Sequence, residues 1–147
     1  MNVRWAIDDK EVKAMLKKYP DKIDKASKFG LARASAWVES KIKARTAAGR
    51  GVSGGFKPYS PGYLEARAKR GRGSTVDLMF TGQMMGAMQS KAKSAKLGII
   101  YFTGGGAAQK AMWNHRTRPF FDINMKEEGQ AAKIFSDAFM KNLKATT

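Results

Sequence analysis

A chain of 147 residues, 43% of them hydrophobic, has the material for one domain with a buried core. It has no cysteine and one histidine, His115, which excludes disulfides, thiolate nucleophiles and cysteine- or histidine-rich metal sites. The net charge of +16 makes the chain repel itself and attract anions over a Debye length of about 8–10 Å. Nucleic acid, an acidic protein partner and an assembly with acidic members are the candidates.

No apolar run approaches the roughly 18 residues of a membrane span, and MNVRWAIDDK has neither the basic start nor the apolar stretch of a signal peptide. The expectation is a soluble, cytoplasmically made, membrane-free protein. Val3, Trp5 and Ile7 alternate with polar or small neighbours as in a short strand. Asp8 or Asp9 then caps a short helix through Met15, Leu16 and Tyr19, ended by Pro20. From about residue 20 to 47 the pattern is one long helix. Ile23, Ala26, Gly30 or Leu31, Ala34, Val38 and Ile42 recur at helical steps, flanked by Phe29 and Trp37. Its small residues, Gly30, Ala32, Ala34, Ser35 and Ala36, admit close approach of another element, either within the subunit core or at a subunit interface.

Four glycines in the seven residues Gly49 to Gly55 predict a mobile loop, part of a projecting segment from about 47 to 59. Ser60 and Pro61 form a helix start, with a hydroxyl cap and a proline at the first turn. That helix carries Tyr63, Leu64, Arg67, Lys69 and Arg70 and stops at Gly71, leaving Arg72 to Ser74 as a basic connector. Thr81 caps a short helix from Gly82 to Met88, around which Met79, Phe80, Met84, Met85 and Met88 cluster as core or as an adaptable interface.

Residues 90–95 and Leu97 to Phe102 read as a hairpin, the second strand buried. Gly104 to Gly106 break the chain before a short helical piece, Ala107 to Trp113. Arg118 to Ile123 is predicted extended, as a strand, because Pro119 pushes Arg118 out of the helical region. Asn124 and Glu127 make a capping-box-like pair at the start of a final helix to about Leu143, which buries Ala131, Ile134 or Phe135, Ala138 and Phe139. Residues 144–147 are expected to fray.

Convergent catalytic groups are scarce. Asp8, Asp9, Asp21 and Asp24 sit at helix starts, and His115 has no nucleophile in a recognisable turn beside it. GRGVSGG and FTGGGAAQK are glycine-rich but lack the G-x-x-x-x-G-K-[ST] spacing of a phosphate loop. The expectation is a protein without enzymatic activity, cofactor or metal. Lys41 to Arg72, with Phe56, Tyr59 and Tyr63 interleaved, is the best nucleic-acid candidate; the same aromatics and prolines serve equally as a rigid turn pinned to the core.

The order of these parts is informative. Phe56-Lys-Pro-Tyr-Ser-Pro61 leads through a basic helix and a Gly/Arg break to Asp77-Leu-x-x-Thr81-Gly82, and Arg118-Pro119-Phe120 precedes the last helix. This resembles the small tail-completion or head–tail joining proteins of tailed bacteriophages, the phage virion morphogenesis proteins, over roughly residues 20–145. The chain departs from the family pattern at Tyr59, where Leu is usual, and at Phe80, where an Asp before Thr-Gly is usual; Asp77 stands three residues earlier.

The resemblance implies a structural protein of the virion neck, assembled in the host cytoplasm. It would complete the tail or join tail to head, binding other neck and tail proteins as a subunit of a homo-oligomeric ring, most simply a hexamer. A tail terminator is a variant of that reading, and a basic DNA-binding or DNA-packaging accessory protein is the alternative, with non-specific DNA contact in either case. The interface candidates are Phe56, Pro58, Tyr59, Arg67, Arg70, Arg72, Thr81, Gly82, Arg118, Pro119 and Phe120. Arg118 is expected as an exposed guanidinium for an acidic neighbour and Phe120 as a core anchor. The expected fold is a single α+β domain, with long N- and C-terminal helices packed on a small, mainly antiparallel sheet and a long glycine-rich loop.

Overall fold

In the computed structural model, residue 14 and residues 17–79 and 81–145 are described. The expected strand at 3–7 lies outside them, as do Met15 and Leu16 of the short helix, of which Ala14, Lys17 and Lys18 are helical.

The long helix, α1, spans Pro20–Ala47. Its stripe is buried as the periodicity predicts: Ile23, Ala26, Gly30, Ala34, Val38 and Ile42 all face inward. Thr46 continues the row one turn on, fully buried, with its hydroxyl donating to the Ile42 carbonyl at 2.7 Å. The architecture is α+β. After α1 come a miniature pair of strands, β1 (Arg50–Gly51) and β2 (Gly54–Gly55), then α2 (Pro61–Ala68) and α3 (Gln83–Gly86). The hairpin strands β3 (Met88–Ser94) and β4 (Leu97–Phe102) follow, then α4 (Gly105–Thr117) and α5 (Met125–Ala145). Among the described residues no helix is long and apolar enough to cross a membrane.

By its internal contacts the chain divides into two compact units. One takes the described residues up to Trp37, Ser90–Ile99 and those from Gly129 onward; the other takes Val38–Gln89 and Ile100–Glu128.

In the first unit Ile23, Ala26 and Leu143 form the core, with Phe139 packed against it and stacked on Phe135. Of α5, only Leu143 is fully buried; Ala131, Ile134, Phe135, Ala138 and Phe139 are half-buried. Of the small residues of α1, Gly30 and Ser35 pack closely within the subunit, whereas Ala32 and Ala36 are exposed. A Cβ on Gly30 would lie 2.8 Å from a Phe135 ring carbon and 2.9 Å from the Phe135 carbonyl oxygen. A Cβ on Gly98 of β4 would run into the Ser35 hydroxyl. Gly30→Ala is therefore expected to destabilise. Overpacking costs about 1–3 kcal/mol, which exceeds the roughly 1 kcal/mol that alanine gains over glycine in a helix, because a backbone carbonyl cannot swing away. Urea unfolding is the measure, and a variant as stable as the parent would contradict it.

The hairpin turns at Ala95 and Lys96, where the Ser94 hydroxyl accepts from the Lys96 N–H and the Ala95 carbonyl accepts from the Ser27 hydroxyl. Such a two-residue connection makes β3 and β4 antiparallel. β4 was expected buried, but each of its residues is only half-buried, since its sheet has two strands.

The second unit corrects several local expectations. The glycine-rich segment is paired with itself, Arg50 opposite Gly55 and Gly51 opposite Gly54. Gly49 and Gly54 adopt positive φ, which glycine admits without a Cβ penalty and which this tight reversal uses. α2 stops at Ala68, earlier than expected. Gly71 at φ 67° and the Gly71 N–H to Ala68 and Arg72 N–H to Arg67 carbonyl bonds form a Schellman-type terminus. Ser60 occupies the N-cap position of α2 in an extended conformation, yet its hydroxyl makes no capping bond. Residues 118–123 join no strand; Arg118 is extended at φ −140°, ψ 86°, as Pro119 demands, but the segment runs as a connection. α4 is longer than expected. The Asn124–Glu127 box forms reciprocally, with the Glu127 N–H on the Asn124 side chain at 2.9 Å and the Asn124 N–H on the Glu127 carboxylate at 3.2 Å. Arg45, in the last turn of α1, binds that same carboxylate and the Asp122 carbonyl.

Candidate functional site

Three segments far apart in sequence interlock in the second unit: the Phe56-to-Pro61 turn, the loop from Gly73 to Met79, and Arg118-Pro119-Phe120. Tyr59 is their meeting point. Its hydroxyl accepts the Leu78 N–H at 2.9 Å, and the Arg67 and Arg118 guanidinium carbons lie 5.0 and 4.9 Å from its ring centroid. Cations within about 6 Å of an aromatic face are held by the ring quadrupole. Burial pushes the Tyr59 phenol above its ordinary pKa, outweighing the opposite pull of the Leu78 N–H and of Arg67, so it stays a neutral acceptor at physiological pH. The bond has a strained partner, for Leu78 is held at φ 55°, a left-handed conformation that costs a side-chain-bearing residue about 1–2 kcal/mol.

Arg67 is expected from the sequence as an interface candidate on the basic helix α2. Instead it is 1% exposed. Its Nε donates to the Gly73 carbonyl, Nη1 to Met79 and Nη2 to Thr75, and Nη2 also lies 3.0 Å from the Asp77 carboxylate. A guanidinium is the one side chain with enough donors, in a fixed fork, to gather a loop this way. Asp77 additionally accepts the Met79 N–H at 2.9 Å. The Asp77 carboxylate thus orders the loop that leads to Thr81 and Gly82.

Arg118 is half-buried rather than fully exposed, and part of its guanidinium is engaged within the unit. Its Nε donates to the Lys57 carbonyl at 2.7 Å and Nη2 to the Pro58 carbonyl at 2.9 Å, which latches the aromatic-proline turn. Phe120 is completely buried, edge-on to Phe102, His115 and Phe121, so it anchors the core as expected and offers no docking surface itself. His115 is structural: its Nδ1 accepts the Phe121 N–H at 3.3 Å. Between them, the Pro119 carbonyl crosses Gly51 so closely that no Cβ fits there.

Beside the latch opens a cleft of about 590 Å³. Tyr59 and Tyr63, edge-to-face at 4.8 Å, form one wall with Leu78 and Met84. Lys110 and Arg118 bring positive charge, and Ser60, Thr81 and Asn114 bring hydroxyl and amide groups. Among the described residues that line it there is no carboxylate. α3 packs on α4 here, with the Lys110 ammonium on the Gln83 side-chain oxygen and the Asn114 amide on the Met84 sulfur. Thr81 accepts the Gln83 N–H, and Gly82, at φ 79°, turns the chain into α3.

Of the expected interface residues, the structure brings Tyr59, Thr81, Gly82 and Arg118 to this cleft. Phe56 is half-buried below the turn, Pro58 and Pro119 are exposed, and Arg70 and Arg72 are exposed on the connector without lining the cleft. Sequence reasoning missed Lys110 and Asn114, although their spacing of four residues on one helix places them on a common face. Among the described residues no cluster of three His, Cys, Asp or Glu could hold a metal. No protein-family model, characterised protein or solved structure matches this chain.

Proposed function

We propose that this chain is a structural subunit acting through protein–protein contacts in the neck of a tailed phage, where it completes the tail or joins it to the head. One observation carries the reading. The three segments that resemble the virion morphogenesis family, the aromatic-Pro-Ser-Pro turn, the Asp-Leu-x-x-Thr-Gly entry and Arg-Pro-Phe, hold one another through Tyr59, Arg67, Asp77 and Arg118. Such mutual dependence gives those residues a reason to occur together, and a surface fixed in this way suits docking on a neighbouring subunit. By the same likeness the subunit works in a ring, a hexamer being the simplest match to a tail.

The test is removal. A phage genome lacking this reading frame should yield, by electron microscopy, DNA-filled heads and separate tails, and the protein supplied in trans should restore joined virions. Joined, infectious particles without it would overturn the proposal. Empty heads would favour the second reading, a DNA-packaging accessory. What speaks for that reading is the net charge of +16 and the exposed basic connector of Lys69, Arg70 and Arg72.

A further inference from the structure

We propose that the cleft between the Tyr59–Tyr63 wall and α4 seats a carboxylate-bearing segment of an acidic partner protein, with Lys110 and Arg118 as its cationic contacts. The inference deepens the assembly reading and rests on it. Charge complementarity selects the occupant. Two cations enter the cleft and no carboxylate among the described residues lines it, while the Arg118 donors bound to main-chain carbonyls leave its positive charge uncompensated. Thr81, Ser60 and Asn114 add hydrogen-bonding groups, and Tyr63, Leu78 and Met84 supply apolar wall for a neighbouring hydrophobic residue.

The aromatic character continues outside. Trp113, 57% exposed, lies on α4 three residues after Lys110 and one before Asn114, so it flanks the row that lines the cleft. Exposed tryptophans at the edge of a pocket are typical anchors of protein interfaces.

Two other occupants fit less well. A second copy offers few carboxylates, 12 against 28 lysines and arginines, so it matches this site less well than an acidic partner does. A nucleic acid would satisfy the cations, but the Tyr59 ring, half-buried with two guanidinium groups already within 5.0 Å of its centroid, is a poor stacking platform, which leaves base stacking to Tyr63 and, outside the cleft, Trp113.

The probe is a fluorescein-labelled hexapeptide of sequence Glu-Leu-Glu-Glu-Phe-Glu, titrated into the whole protein and followed by anisotropy and by amide chemical shifts. The expected result is a set of shifts concentrated on Tyr63, Thr81, Lys110 and Asn114. Lys110→Gln should weaken binding about two- to fivefold, the range for an exposed ion pair. Lys133→Gln, an exposed lysine on α5, should leave it unchanged. Equal weakening by both variants would overturn the inference, as would equal binding of the analogue with Gln for every Glu. So would displacement of the same amides by hexathymidylate, which would hand the cleft to nucleic acid. The titration needs no phage, so its result stands if the neck reading fails, and its failure overturns the cleft inference while leaving the neck reading intact.

Discussion

Arg67→Ala is expected to cost about 3–5 kcal/mol of stability, the range for removing one partner of a buried ion pair. The side chain is 1% exposed and serves three carbonyls and a carboxylate at once. Its loss leaves the Asp77 carboxylate without its cation and unties the Gly73, Thr75 and Met79 carbonyls; Gly73 and Thr75 are exposed residues whose carbonyls water can reach, so the broken ion pair carries most of the cost. Arg67→Lys should fail nearly as badly, because one ammonium cannot span acceptors spread from residue 73 to 79. Asp77→Ala should also destabilise, because it leaves the buried Arg67 charge without its carboxylate while the three carbonyls still accept from the guanidinium. Urea unfolding of the two single variants and the double variant gives the coupling; a loss below 1 kcal/mol for Arg67→Ala would contradict the arrangement. Hydrogen exchange at the Leu78 and Met79 amides should rise in Arg67→Ala even where the rest of the chain stays folded, because those amides depend on Tyr59 and Asp77, which Arg67 holds in place.

The burial of Arg67 shows where sequence reading stopped. Periodicity fixes which face of a helix turns inward, and the six-membered stripe of α1 was legible for that reason. The capping box at Asn124 was legible because its chemistry is local, closed within four residues. Arg67 was not, because it stands among Lys69, Arg70 and Arg72 and composition does not distinguish a buried cation from solvated ones. A sharper signal was present. Arg67 lies three residues after Leu64, on the apolar side of α2, and Asp77 is the sole acid between Glu65 and Asp122. A lone carboxylate in so basic a stretch has a specific cation to meet.

The cleft was only half legible for a related reason. The family resemblance marked Tyr59, Thr81, Gly82 and Arg118, but Lys110 and Asn114 reach the same place through tertiary packing of α3 on α4, which no spacing rule encodes. The glycine segment was legible as a break but not as a paired reversal. Glycine permits both disorder and tight reversals, and the reversal is held by the Phe56 N–H on the nearby Gly49 carbonyl and, from far along the chain, by the Pro119 carbonyl over Gly51.

Phe120→Ala should cost about 3–5 kcal/mol, the range for emptying a buried aromatic site. The ring is 0% exposed, with centroids of Phe102, His115 and Phe121 at 6.3, 5.9 and 6.2 Å. Those neighbours are themselves large, so they cannot collapse into the space without leaving their own rotamers, and the cavity term adds to the lost transfer energy. Phe120→Leu, which keeps most of the volume, should lose markedly less. Arg118→Ala differs in kind: its bonds to the Lys57 and Pro58 carbonyls are at a half-exposed site where water can substitute, so global stability falls less than in Phe120→Ala. The turn it latches should loosen first, with faster exchange at the Leu78 amide as Tyr59 loses one of its two guanidinium neighbours. Chemical denaturation ranks the three variants, and Arg118→Ala proving as destabilising as Phe120→Ala would mean that the latch, rather than the aromatic cluster, holds this unit together.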